Sequence, residues 1–379
     1  MKHSRFAFLC IAASFIPVTA FGKPASPPQN ARPTIHVVPI YLSNLRAIAA
    51  LRIGDRPPAP VVFDTGTSGN DIDSDYAAAV KLQFDPNVHA HVGDGSGKTL
   101  DAKEALLPAA TLGEVPIEAK TATVFPYKER DVVGIFGPGS FEGQEVLLDL
   151  GHGRLIVRDR GASSLCRKST PYTPSGLPTV MLRFPGLTVP ALLDSGSNIP
   201  LFLPESLARK LPLRGRPRSS GKGTTVTGEH DEYEARLAGN VRIGHLVLRD
   251  PAVGVGGDAI ANIGLPVIRQ MVIMLDPERR QVCIPDRPSL SAARLAAYAG
   301  RYGIRTTRVA GTKLILQRDG NKPYALHGLG GDIFVNNETG DVVQFWRRDG
   351  RVVRMDFVNN VGVLTSADKS PAALLRPQS

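Results

Sequence analysis

The chain has 379 residues, 42% of them hydrophobic, with 38 glycines, 31 prolines and a formal net charge of +10. That length exceeds a single ordinary core and predicts two or three domains. The glycine and proline content, with many short apolar runs cut by turn residues, excludes a helical bundle and predicts a mostly β architecture.

The first 20 residues read as an export signal. Lys2 and Arg5 make a basic start, residues 6–18 are apolar, and Val18-Thr19-Ala20 offers small residues for cleavage. The apolar stretch is too short to span a membrane, and no later segment is apolar enough, so no transmembrane anchor is expected. Bulky Leu9 before Cys10 argues against a lipid anchor. The expected location is the periplasm or the medium.

Residues 34–160 read as a first β repeat. Strands are predicted at 35–40 and 47–53, and a short helix at 76–82 capped by Ser74 or Asp75. Gly93, Asp94, Gly95, Ser96 and Gly97 form a glycine-rich hairpin tip. Strands at 105–107 and 122–125 follow, then a closing hairpin over 146–157. A polar linker covers 161–178. The second repeat, within 176–285, ends in a closing hairpin of the same design at 271–284.

A smaller antiparallel β domain is predicted over 292–365, opening with a helical turn and followed by five strands. Asp349-Gly350 marks a tight hairpin within it. After signal removal only Cys166 and Cys283 remain. They could pair in an oxidising compartment or stay as two buried thiols.

Arg214, Arg216, Arg218 and Lys222 form the densest basic run. They lie among Gly, Pro and Ser with no interleaved aromatics, so they read as a solvated loop and no nucleic-acid partner is expected. His89 and His91 alternate onto one strand face without a third ligand, so no metal is expected.

Two stretches say nearly the same thing. Val61-Val62-Phe63-Asp64-Thr65-Gly66-Thr67 and Ala191-Leu192-Leu193-Asp194-Ser195-Gly196-Ser197 each run an apolar strand into Asp, a hydroxyl residue, Gly and a second hydroxyl residue. Upstream, Ala50-Leu51-Arg52-Ile53 and Met181-Leu182-Arg183-Phe184 each precede a turn and a second strand. This is the pattern of an internal duplication. Two carboxylates a few ångströms apart cannot both ionise cheaply, so they share a proton. The charged one can activate a water and the protonated one can donate to a carbonyl oxygen, with no cofactor. Gly66 and Gly196 permit close approach. Thr65 and Ser195 can hydrogen-bond across the pseudo-dyad, and Thr67 and Ser197 can orient the outer carboxylate oxygens.

The doubled Asp-Thr/Ser-Gly turns resemble those of pepsin- and retropepsin-type aspartic proteases, and most of all bacterial two-lobed retropepsin-like proteins. The resemblance covers roughly residues 34–285. It implies two pseudo-symmetric aspartic-protease β lobes, with one Asp from each and a polypeptide substrate between them. An apolar-apolar-Gly segment should pack beside each turn: Val132-Val133-Gly134-Ile135-Phe136-Gly137 and Ala261-Asn262-Ile263-Gly264-Leu265-Pro266 fit. Residues 93–97 are then the candidate flap, glycine-rich as retroviral flaps are. Tyr298-Ala299-Gly300-Arg301-Tyr302 and the strands after it resemble small terminal domains of bacterial penicillin-recognising serine hydrolases, which implies no chemistry of its own.

The expected protein is an exported, monomeric aspartic endopeptidase using Asp64 and Asp194. The alternative is a catalytically weak or inactive protein that binds a peptide or envelope polymer in the same cleft.

Overall fold

The computed structural model describes residues 33–93, 99–117, 120–127, 131–160, 166, 168–225, 228–257, 260–285, 290–359 and 362–371. The signal at 1–20 and flap residues Asp94, Gly95, Ser96 and Gly97 lie outside the described residues; Gly93 is inside. Strand dominates at 55%, against 8% helix, as the turn-rich composition requires.

Two sheets repeat one another. The first runs, in spatial order, Gln83–Gly93, Thr99–Leu106, Thr121–Phe125, Asn70–Asp73, Gly134–Phe136, Ala59–Phe63, Arg46–Ile53, Ala110–Leu112 and Val115–Pro116. The second runs Arg218–Thr225, Gly228–Arg236, Ala252–Val255, Leu201–Leu203, Ala261–Gly264, Leu187–Asp194, Thr179–Phe184, Asn240–Ile243 and Leu246–Arg249. The two paths match strand for strand. Parallel pairs fall at the same two places in each, among otherwise antiparallel neighbours.

Some local expectations are corrected. The first helix is Ser74–Ala79, and its cap is Asp73, whose carboxylate accepts the Asp75 and Tyr76 N–H groups. Ser74 and Asp75 are already inside the first turn. Lys81 takes a positive φ of 59°, which stops the helix before the predicted end. The basic run is not a loop throughout. Arg218 and Lys222 lie on Arg218–Thr225, which pairs with an acidic strand, Gly228–Arg236, and Lys222 meets Glu229 there. Cross-strand charge pairing lets this polar, glycine-rich stretch serve as a strand.

A six-stranded sheet joins the halves, ordered Ile35–Pro39, Arg154–Asp159, Gln144–Asp149, Ile273–Asp276, Gln281–Cys283 and Thr170–Pro171. The closing hairpins of the two repeats meet at its centre, where Val146 pairs with Leu275 and Leu148 with Ile273. Val146, Leu148, Leu155, Val157, Ile273 and Leu275 face a core shared with both larger sheets. Leu147, Ile156 and Met274 face the other way. Burial on both faces explains why these strands read as continuous apolar runs rather than alternating ones.

The last unit covers that second face. A short helix, Ala292–Ala296, is capped by Ser291. Eight strands follow in sequential antiparallel order from Gly300–Tyr302 to Leu364–Asp368. A bridge between Tyr302 and Lys369 brings the end of the path back to its start. Asp349 and Gly350 both take positive φ, the turn their sequence predicts. Leu329, Ile333, Val335, Val342 and Val358 pack on Ile35, Val37 and Leu147 of the six-stranded sheet. Arg158 spans this junction, bonding Glu145 and the Gly331 carbonyl, and Arg154 bonds Asp149 and Asn337.

Cys166 and Cys283 form a disulfide, with Cα atoms 6.3 Å apart. It ties the segment after the first repeat to the last strand of the second. Replacing both cysteines with serine should lower unfolding free energy by about 2–4 kcal/mol, because the bond closes a long loop in the unfolded chain. Denaturant unfolding of the double variant checks this, and an unchanged midpoint would contradict it.

Candidate active site

Asp64 and Asp194 end equivalent strands and lie at equivalent turns. Ile135 and Phe136 pair beside the Asp64 strand, and Asn262 and Ile263 pair beside the Asp194 strand. The turns are locked together. The Thr65 hydroxyl donates to the Leu193 carbonyl at 2.7 Å, and the Ser195 hydroxyl donates to the Phe63 carbonyl at 2.9 Å. In return the Thr65 N–H donates to Ser195 Oγ and the Ser195 N–H to Thr65 Oγ1, both at 3.0 Å. Thr65 and Ser195 are fully buried, so every polar group in this square needs the others.

The lock sets the carboxyl groups side by side. The Gly196 N–H reaches Asp64 Oδ1 at 2.9 Å and Asp194 Oδ1 at 3.0 Å. The Gly66 N–H donates to Asp64 Oδ1 at 2.7 Å, and the Ser197 N–H to Asp194 Oδ1 at 3.0 Å. A Cβ on Gly66 would lie 2.8 Å from Asp194 Cγ, and one on Gly196 would lie 2.5 Å from Asp64 Oδ2. Each glycine is therefore required by the opposite carboxyl group. Both aspartates are half-buried.

The electrostatics are asymmetric. Burial, and then the adjacent Asp194 charge, push the Asp64 carboxyl well above its usual range against the opposing Gly66 and Gly196 N–H bonds. Asp194 instead takes a further donor, Asn262 Nδ2, at 2.5 Å from Oδ2. The Asp64 carboxyl is thus the one raised by its surroundings, while Asp194 is the one bonded by the amide.

The outer hydroxyls do not act as the sequence predicts. Thr67 accepts the Gly69 N–H and donates to Asp71, and Ser197 accepts the Ile199 N–H. Among the described residues neither hydroxyl bonds a dyad carboxyl group. The turns curl so that these side chains close their own loops. Within the two predicted packing segments, Gly137 and Gly264 are the equivalent pair, and a Cβ on either would strike turn carbonyls, Thr67 O in one case and Ser197 O in the other. Gly134 packs instead on the Asp71 carbonyl.

Two polar residues were missed. Asn262 sits mid-strand between Ala261 and Ile263, where a buried amide needs a specific partner. Asp71 lies two strands from Asp64 in the same sheet. Burial pushes its carboxyl up to about 6 despite hydroxyl bonds from Thr67 and Thr123. A lone Asp inside Asn70–Asp73 and an Asn inside Ala261–Gly264 were the available signals.

Thr65→Val should destabilise the protein by about 2–4 kcal/mol, since it strands the Ser195 N–H and the Leu193 carbonyl in a dry site. Thr65→Ser, which keeps the hydroxyl, should cost far less. Chemical denaturation of the pair checks this. Asp71 titrates higher folded than unfolded, where an aspartate sits near ~3.9. The folded state therefore binds its proton more tightly, and stability is lost as pH rises from about 4 to about 6. Asp71→Asn should be more stable than the parent by about 2–3 kcal/mol at pH 7.5, with the gain vanishing near pH 4. Melts across that range test the sign.

Residues 180–266 match a family model described as aspartyl protease. No curated protein gives a match to the chain. The matched segment holds most of the second nine-stranded sheet, with Asp194, Asn262 and Gly264 inside it. The sheet that carries Asp194 is thus the part of the chain similar to aspartyl proteases, and the first sheet repeats its strand order around Asp64.

Proposed function

We propose that this chain is an exported aspartic endopeptidase with one active site, built by Asp64 and Asp194 from two lobes. The observation that carries the proposal is the Gly196 N–H shared between the two carboxyl groups, since it needs both turns at one point.

In this mechanism Asp64 holds the proton and Asp194 is the charged base. Asp194 takes a proton from a water as the water oxygen attacks the peptide carbonyl carbon. Asp64 donates its proton to the carbonyl oxygen, giving a neutral tetrahedral diol. Collapse breaks the C–N bond, the nitrogen takes a proton from Asp194, and a diol hydroxyl returns its proton to Asp64. The pair ends as it began. Asn262 steadies Asp194 through the cycle. The hairpin formed by Gln83–Gly93 and Thr99–Leu106 supplies the flap, and the groove takes an extended polypeptide.

Export is supported by the basic and apolar N-terminus and by the disulfide, which suits an oxidising compartment. Among the described residues no helix is long and apolar enough to cross a membrane. The terminal β unit packs on the six-stranded sheet's far face, away from the core shared by the two larger sheets, so it serves here as a support rather than a groove wall.

Asp64→Asn and Asp194→Asn should each lower peptide cleavage by about 100-fold or more, the scale of lost acid–base catalysis. The raised Asp64 carboxyl must be protonated, so activity should be highest at acid pH and fall as pH rises through its titration. Digestion of a peptide library at several pH values, analysed by mass spectrometry beside both variants, reads this. Equal product from parent and variants would refute the dyad.

A further inference from the structure

Asp71 is a carboxylate with no role in the mechanism above. Its position is fixed by strand register. Ile48 pairs with Val62, Val62 with Ile135, Ile135 with Asp71, and Asp71 with Thr123. Residues paired in register point to one face of a sheet, so this row shares a face. Val62 is two residues before Asp64 in an extended strand, and alternation puts the two on that same face. The Thr67 hydroxyl, from the Asp64 turn itself, donates to the Asp71 carboxylate. Asp71 therefore lies on the same face of the sheet as Asp64, two strands away.

The second sheet handles the equivalent row differently. There Asn262 takes the place of Ile135, and Phe202 takes the place of Asp71. Asn262 contacts Asp194 directly. Phe202 lies against Gly254 and Gly256. So the polar residue of the second sheet is committed to the dyad, and the outward position is apolar. In the first sheet the order is reversed: the inner position is the apolar Ile135 and the outer one is Asp71.

Nothing within the fold neutralises it. Its hydroxyl donors are Thr67 and Thr123, and among the described residues no lysine or arginine contributes to its charge balance. It stays half-buried, as do Thr123 and Ile48 on the same row. Val62, Ile135 and Val132 form a small apolar cluster beside it, separate from the main core. A half-buried carboxylate with no cation beside it among the described residues, on the dyad's own face of the sheet, matches the charged end of a basic side chain.

Resting on the proposed dyad, we infer that Asp71 is a specificity-determining residue that selects a lysine or arginine side chain next to the cleaved peptide bond. The cation of that side chain meets the Asp71 carboxylate. Pairing a cation with a partly buried carboxylate favours its charged form, which the fold alone does not.

The test compares two peptides that differ at one position beside the cleaved bond, arginine in one and isosteric, uncharged citrulline in the other. The parent should show kcat/KM higher for the arginine peptide by about 10-fold or more, the scale of a hydrogen bond to a charged group. Asp71→Asn should bring that ratio close to one, Asp71→Glu should retain part of it, and Asp71→Lys should favour glutamate at the same position. A purely structural role for Asp71 would lower both substrates together and leave the ratio unchanged, which would overturn the inference. Calorimetric binding of both peptides to Asp64→Asn reads the subsite without turnover. If the parent cleaves neither peptide yet Asp64→Asn binds the arginine peptide more tightly, the dyad reading fails and the subsite stands. If both peptides are cleaved or bound alike, the subsite fails and the dyad is untouched.

Discussion

The square of hydrogen bonds between Thr65 and Ser195 is the constraint on which the rest depends. Two strand ends that each carry a carboxyl group repel one another as soon as both ionise. Only a rigid, buried link can hold them in contact. Here each hydroxyl donates to a carbonyl of the opposite strand and accepts an N–H from the opposite turn. A buried group left unpaired would be expensive, so no single member can leave. The raised Asp64 carboxyl and the shared Gly196 N–H follow from that forced proximity.

The larger architecture serves the same end. Nine strands repeated in one order place the two turns at matching points, and the six-stranded sheet sets the repeats face to face. That sheet is apolar on both faces, because one packs on the shared core and the other on the terminal β unit. Buried Arg158 and Arg154 bind carbonyls and carboxylates across the second junction, which keeps their charges paired where water is excluded. The terminal unit thereby closes a surface that would otherwise expose Leu147, Ile156 and Met274.

The pseudo-symmetry is broken where chemistry needs a difference. Gly66 and Gly196 are interchangeable in role, each yielding space to the other turn's carboxyl group. Asn262 and Ile135 are not, although they occupy equivalent register positions. The Asn262 amide bonds Asp194, and Ile135 at the matched position has no polar group to do the same for Asp64. Asp71 and Phe202 differ in the same way one strand further out. A duplicated fold thus supplies the frame, and substitutions at matched positions supply the asymmetry that acid–base chemistry and recognition require.

The sequence by itself determined the turns, because Asp-Thr-Gly-Thr and Asp-Ser-Gly-Ser carry their signal in four adjacent residues behind apolar strands. It determined the mostly β character, the closing hairpins and the tight turn at Asp349-Gly350, all of which rest on short-range periodicity and turn chemistry. It misread Thr67 and Ser197, whose hydroxyls were free to choose between a neighbouring carboxyl group and their own loop. It gave the packing segment as residues 132–137, which holds both Gly134 and Gly137, because an apolar pair precedes each of them. Only the tertiary structure decided that Gly137 matches Gly264, that Asn262 reaches Asp194, and that Asp71 shares a face with Asp64. Those facts depend on which residues oppose one another across strands distant in the chain, and pairing register is set by packing of whole sheets rather than by any local run of residues.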